Sequence, residues 1–144
     1  MGGEKRNFQK NAYYHIFNRG NNREQIFKNP EDKKLFINLL YRYHNGIDLY
    51  IDSYVVMDNH FHLILRTGNM PNFVSRYMQK ICTSYAMNIN PKYKRVGHIF
   101  QGRYQARYLR YKKDLQQART YLKQNPIKEG YVKKGGDYPW GKFL

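Results

Sequence analysis

Three features of this 144-residue chain point to an α+β domain: a four-stranded antiparallel sheet of split βαβ type, with one further helix at the C-terminal end. Two strand-like runs are separated only by Asp58-Asn59. Phe73, Val74, Tyr77, Met78, Ile81, Cys82, Tyr85 and Ala86 recur at helical spacing after Pro71. The elements then follow in the order strand, helix, strand, strand, helix, strand, helix. With no internal repeat and no low-complexity linker, residues 1–144 read as one domain, long enough to bury roughly 68 to 70% of its unfolded surface.

Tyr13 to Asn18 alternates as a strand, and Arg19-Gly20-Asn21-Asn22-Arg23 breaks it with turn chemistry. Asn29-Pro30-Glu31-Asp32 starts a helix, with a cap residue, proline at the first helical position and acids in the first turn. Leu35, Phe36, Leu39, Leu40 and Tyr43 give that helix its apolar face, and Asn45-Gly46 stops it. Leu49 to Met57 and His60 to Arg66 form the hairpin. The second helix carries the aromatic and methionine pattern above, which reads as core, with Cys82 ordinary core among it. A basic loop from Asn90 to Gly102 precedes a strand from Tyr104 to Tyr111. A last helix over Lys113 to Gln124 is expected to end near Asn125-Pro126, because the residue before proline resists helical geometry.

Composition narrows the function classes. The 26 Lys and Arg against 10 Asp and Glu give a net charge of +16, and residues 90–144 hold 14 basic and 3 acidic side chains. There are 15 tyrosines. Basic residues interleaved with aromatics suit a phosphate backbone with unstacked bases. Cys82 is the only cysteine, so no internal disulfide forms. No run approaches the roughly 20 apolar residues of a membrane span, and the N-terminus shows no apolar leader. The expected home is a reducing cytoplasm, with no membrane partner.

The chemistry starts from His60-Phe61-His62. Side chains alternate on a strand, so the two imidazoles project side by side on one face and can share a metal ion. On the last helix Leu115, Ala118 and Leu122 mark the buried stripe, and Gln117, Tyr121 and Asn125 form a polar stripe beside it at intervals of four. If that helix covers the histidine face, an Asn125 amide oxygen would complete a donor set with open positions suited to Mg²⁺ or Mn²⁺. The ion would polarise a phosphodiester, and Tyr121 could attack the phosphorus to give a phosphotyrosine. Each residue also has a plainer role: a hydrogen-bonded strand histidine, a packed tyrosine, a helix terminator. Spacing alone does not single out these four residues.

The chain resembles the REP-associated tyrosine transposases, relatives of the single-tyrosine insertion-sequence transposases of the HUH endonuclease superfamily. The resemblance is carried by Tyr14-His15-Ile16-Phe17-Asn18-Arg19-Gly20-Asn21-Asn22-Arg23 and by Tyr54-Val55-Val56-Met57-Asp58-Asn59-His60-Phe61-His62-Leu63. Further along come Gly97-His98-Ile99-Phe100-Gln101-Gly102-Arg103-Tyr104, Tyr121-Leu122-Lys123-Gln124-Asn125-Pro126-Ile127 and Asp137-Tyr138-Pro139-Trp140. It implies a ferredoxin-like HUH fold that cuts and rejoins single-stranded DNA at hairpin-forming palindromic elements through a 5′-phosphotyrosine and a divalent cation. His60 and His62 fall on the metal ligands, Tyr121 on the nucleophile and Asn125 on the polar ligand four residues later.

Two departures stand out. Asp58 occupies a position where the family commonly has proline, and could add a weak metal or proton contact. Gly141-Lys142-Phe143 stands where relatives usually show serines, with any C-terminal regulatory tail expected to be absent or short. Relatives include homodimers that exchange the catalytic helix and monomers that do not, and the sequence leaves both open.

Arg19, Arg23, Arg103, Arg107, Arg110, Lys112 and Lys113 are the phosphate-contact candidates, lying in loops or on a tyrosine-rich strand. His15 and His98 read as structural or DNA-contacting rather than as ligands. Two other classes compete with a transposase: a catalytically silent, domesticated nucleic-acid-binding module, which needs neither Tyr121 nor the histidines, and a hydrolase using water, which would want more carboxylates than this chain offers.

Overall fold

The computed structural model describes residues 6–144; the N-terminus read above as lacking an apolar leader falls mostly on residues 1–5, outside that range. Strand β1 is Tyr13–Arg19, helix α1 is Pro30–His44, and β2 is Leu49–Val56. Next come β3 at His60–Thr67, α2 at Phe73–Lys92, β4 at Gln105–Leu109, α3 at Lys112–Lys128 and β5 at Gly141–Lys142. The sheet order is β4-β1-β3-β2-β5, every neighbouring pair antiparallel. The split βαβ arrangement is as expected, with a fifth, two-residue edge strand added. Gly141-Lys142 is too short to show a period of two. It is held by pairing with Tyr54 and Val55 and by the Val56 amide donating to the Trp140 carbonyl at 2.9 Å.

The strand period sorts side chains onto two faces. Ile16, Phe61, Leu63 and Leu65 turn toward α1 and α2, where Phe27, Phe36, Tyr77, Met78, Ile81 and Tyr85 complete the main core. The two helices are tied by buried Asp32, which accepts from Lys92 Nζ and Tyr93 Oη, each at 2.6 Å. Asn29 caps α1 as expected, its side chain accepting from the Asp32 amide at 2.9 Å, and Gly46 follows the helix with φ of +81°. On the opposite face Val55, Met57 and Ile64 meet Leu115, Ala118, Leu122 and Tyr138 in a second, smaller core. Helix α3 therefore covers the face that carries His60 and His62.

Three devices seat α3. A bulge in β2 between Ile51 and Ser53 turns Asp52 toward the helix. There Arg119 donates to its carboxylate from Nε at 3.0 Å and from Nη2 at 2.5 Å. Beyond the helix, Tyr138 Oη donates to the Val56 carbonyl at 2.6 Å.

The helix also differs from its expected end. It continues through Pro126 to Lys128, with Asn125 and Pro126 both buried. A proline one turn before the terminus removes a single intrahelical donor, and burial of the Leu122, Asn125 and Pro126 row against the sheet outweighs that loss. β4 in turn is shorter than the Tyr104 to Tyr111 run. Tyr104 is buried in the main core, and Tyr111 is the N-cap of α3, with its amide donating to Asp114 Oδ2 at 3.0 Å. Among the described residues no helix is long and apolar enough to cross a membrane.

Candidate active site

His60 and His62 leave β3 on the α3 side, because register pairs Arg19 with His60 and Phe17 with His62 on the same face. The turn ahead of them is fixed from both flanks. Asp58, which the sequence offered as a weak metal or proton contact, has both carboxylate oxygens engaged. Lys33 Nζ, itself buried, donates to Oδ1 at 2.7 Å, and Tyr131 Oη donates to Oδ2. The Asp58 carbonyl accepts from the Ile26 and Phe27 amides at 3.0 and 2.9 Å. Asp58 is thus an anchor of the hairpin, held by the start of α1 and the segment after α3.

Helix α3 brings Tyr121 and Asn125 to the histidines. Asn125 Oδ1 lies 3.1 Å from His60 Nε2, and the amide is oriented by Nδ2 donating to the Tyr121 carbonyl at 3.3 Å. Tyr121 is half-exposed, its ring centroid 5.1 Å from that of His62 at 85°. The two histidine rings lie 5.3 Å apart. All four side chains line one open cleft of about 890 Å³, and all come from this one chain.

The donor set fits a divalent cation. His60 has an amide oxygen on either side, Asn59 Oδ1 at 2.6 Å from Nδ1 and Asn125 Oδ1 at 3.1 Å from Nε2. A neutral imidazole carries one N–H and can satisfy only one of them. With the proton on Nδ1, the Nε2 lone pair and Asn125 Oδ1 converge. Their 3.1 Å separation compares with the roughly 3.0 Å between neighbouring corners of an octahedron with bonds of about 2.1 Å. Among the described residues no cluster of three or more His, Cys, Asp or Glu is placed to hold a metal, so any ion here depends on the amide and on open positions.

Beneath them His62 is 6% exposed and hydrogen-bonded through Nδ1 to His15 Nε2 at 2.9 Å. Burial lowers the pKa of both, with Arg107 adding to the effect. His15 drops to about 4, and His62 falls further because His15 and His60 also crowd it. Neutral imidazoles are what a cation requires. They also make the fold acid-sensitive: below about pH 6.5 the unfolded chain takes up protons that the folded chain refuses, so stability falls as pH falls. Denaturant melts should show a loss of about 2 kcal/mol from His15 alone between pH 7 and pH 5. A pH-independent midpoint over that range would contradict the buried neutral pair.

The cleft is cationic. Arg6, Arg19, Arg23, Arg103 and Lys128 line it against the single carboxylate of Glu129. Its floor is made where the end of β1 meets the loop after α2. The Gln101 amide donates to the Arg19 carbonyl at 2.9 Å, the Asn21 amide to the Ile99 carbonyl at 2.9 Å, and the Gly20 amide to the Asn59 carbonyl at 2.8 Å. Of the phosphate candidates, Arg19, Arg23 and Arg103 reach this cleft. Arg107 sits beside it, 5.2 Å over the Phe17 ring. Arg110, Lys112 and Lys113 do not line it: Arg110 lies 5.4 Å over the Tyr111 ring at the far end of β4, Lys112 is exposed at the start of α3, and Lys113 lines a neighbouring shallow pocket with Gln117 and Tyr121.

Lys128, Asn59 and Arg6 were not singled out from the sequence. Lys128 continues the stripe of Tyr121 and Asn125, its Nζ 5.7 Å from the Tyr121 ring centroid, and was hidden by ending the helix at Pro126. His98 is absent from the cleft lining.

The fold and cleft define a class of protein, a split βαβ sheet whose paired histidines lie under a tyrosine-bearing helix in a basic groove. The chain belongs to the IS200-like transposase family, whose family model matches residues 8–125. It is 28% identical over 99 residues to a Haemophilus influenzae protein named as a REP-associated tyrosine transposase. That match covers 61% of this chain and 55% of the other, so the chain spans about half the length of this curated relative.

Among solved structures it superposes on a REP-associated tyrosine transposase bound to a REP hairpin, with a TM-score of 0.80 and 20% identity, over 98% of this chain and 82% of that one. A Deinococcus radiodurans protein described as a transposase gives 0.52 at 16% identity, over 85% and 97%. At these identities the likeness shows a shared fold.

Proposed function

We propose that this chain is a strand transferase that cuts and rejoins single-stranded DNA at hairpin-forming palindromic elements, with Tyr121 as nucleophile. The observation that carries the reading is the convergence of His60 Nε2 and Asn125 Oδ1 at 3.1 Å beside Tyr121, inside a cationic cleft. Family membership supports it, and so does the solved relative's hairpin ligand.

Arg19, Arg23, Arg103 and Lys128 draw the phosphate backbone into the cleft. His60, His62 and Asn125 would hold Mg²⁺ or Mn²⁺, which when bound polarises the scissile phosphodiester and steadies the departing 3′ oxygen. The Tyr121 hydroxyl attacks phosphorus and gives up its proton to solvent, the bond to the 3′ oxygen breaks, and the departing 3′ oxygen takes up a proton from solvent to leave as a hydroxyl. The resulting 5′-phosphotyrosine keeps the phosphoester energy, so a second 3′ hydroxyl can reverse the step and join strands.

Incubation with single-stranded hairpin DNA and Mg²⁺ or Mn²⁺ tests this on a denaturing gel. A covalent protein–DNA adduct is expected, and none should form when EDTA is present from the start. Binding with neither cleavage nor adduct would mark a silent DNA-binding module. Cleavage without an adduct would mark a hydrolase using water.

A further inference from the structure

The metal reading uses His60, His62 and Asn125 but leaves one buried imidazole on the same face unexplained. His15 stands on β1 opposite Ile64, one diagonal step from His62, which pairs with Phe17. The rings meet with centroids 5.1 Å apart and His15 Nε2 2.9 Å from His62 Nδ1. His15 is 6% exposed and does not line the cleft, and its Nε2 is spent on His62. Nor is it poised as a ligand for DNA. Among the described residues it is the only side chain hydrogen-bonded to His62, whose other ring neighbours are Phe17, tilted against it, and His60 and Tyr121, edge-on to it.

Two ring nitrogens 2.9 Å apart share one proton between them, and which ring carries it decides what His62 can do. If His15 donates, His62 accepts at Nδ1 and carries its own proton on Nε2, leaving no lone pair on either nitrogen for a cation. If His62 donates from Nδ1, its Nε2 lone pair is free. We propose that His15 is a positioning residue, a hydrogen-bond acceptor that holds His62 in the Nδ1–H tautomer and so prepares Nε2 as a metal ligand. Asn59 Oδ1 stands to His60 Nδ1 as His15 Nε2 stands to His62 Nδ1, so both histidines receive the same outer support, one from an amide and one from an imidazole. This role rests on the metal reading above.

The test is carried out on the full chain with ¹⁵N-labelled histidine. In the metal-free wild type, long-range ¹H–¹⁵N spectra should show His62 protonated at Nδ1; protonation at Nε2 would overturn the proposal without recourse to any variant. Mn²⁺ titration followed by the electron paramagnetic resonance of the free ion gives the second readout. His15→Leu should weaken binding by about 10- to 100-fold, the usual cost of losing such a partner. His15→Gln, which keeps an acceptor oxygen, should recover most of it.

Unchanged Mn²⁺ affinity in His15→Leu would overturn the role, as would a folded His15→Gln that binds no better than His15→Leu. A wild type that shows the Nδ1–H tautomer yet binds no Mn²⁺ would overturn the metal reading itself, and this role with it.

Discussion

Tyr121→Phe should leave the fold intact and abolish the covalent adduct with hairpin DNA. The phenol ring stays on α3 beside His62 and His15, with centroid distances of 5.1 and 5.9 Å that a phenylalanine would keep. The hydroxyl has no hydrogen-bonded side chain among the described residues, and the residue is 43% exposed, so its removal should move stability by less than about 0.5 kcal/mol. Adduct formation and strand joining should fall together by a factor on the order of 10³ or more, because no other group replaces a lost nucleophile. Hairpin binding should persist, since Arg19, Arg23 and Arg103 are untouched. An adduct that survives the substitution would assign the nucleophile to another of the 15 tyrosines.

Arg119→Met should be the most damaging single change to the seating of α3. Asp52 is 8% exposed, and Arg119 is its bidentate partner, with Ser53 Oγ donating to the same carboxylate at 3.0 Å. Removing the guanidinium leaves a buried carboxylate without its cation, which costs about 3 kcal/mol, the low end for buried pairs because Arg119 is partly exposed. Chemical denaturation should show that loss, and Asp52→Asn in the same chain should recover part of it, the mark of a coupled pair. Adduct formation should drop in the single variant at temperatures where the fold is still intact, because Tyr121 and Asn125 ride on the same helix. A change below about 1 kcal/mol would mean that the second core alone seats α3.

Most of the frame was legible because local periodicity encodes it. The capped start of α1, the apolar spacing of α2 and the hairpin around Asp58-Asn59 are each read within about twenty residues, and all three stand where expected. The differences arise where distant contacts overrule local rules. β5 exists only because β2 offers it an edge. Helix α3 passes Pro126 because the row of Leu122, Asn125 and Pro126 is buried. Asp58 reads as a free carboxylate in a turn until Lys33 and Tyr131 arrive from 25 and 73 residues away.

The candidate site divides along the same line. That His60 and His62 share a face follows from the strand period, and that Tyr121 and Asn125 share a stripe follows from the helical one. Both are consequences of backbone geometry over a few residues. Which face of the sheet that stripe meets is a matter of packing: Val55, Met57 and Ile64 on one side and Leu115, Ala118 and Leu122 on the other bury each other only when α3 covers the histidines. The His15 contact, the Asn59 support of His60 and the arrival of Lys128 in the cleft depend on strand register and on where the helix ends. Those are long-range outcomes of burial, and no window of sequence contains them.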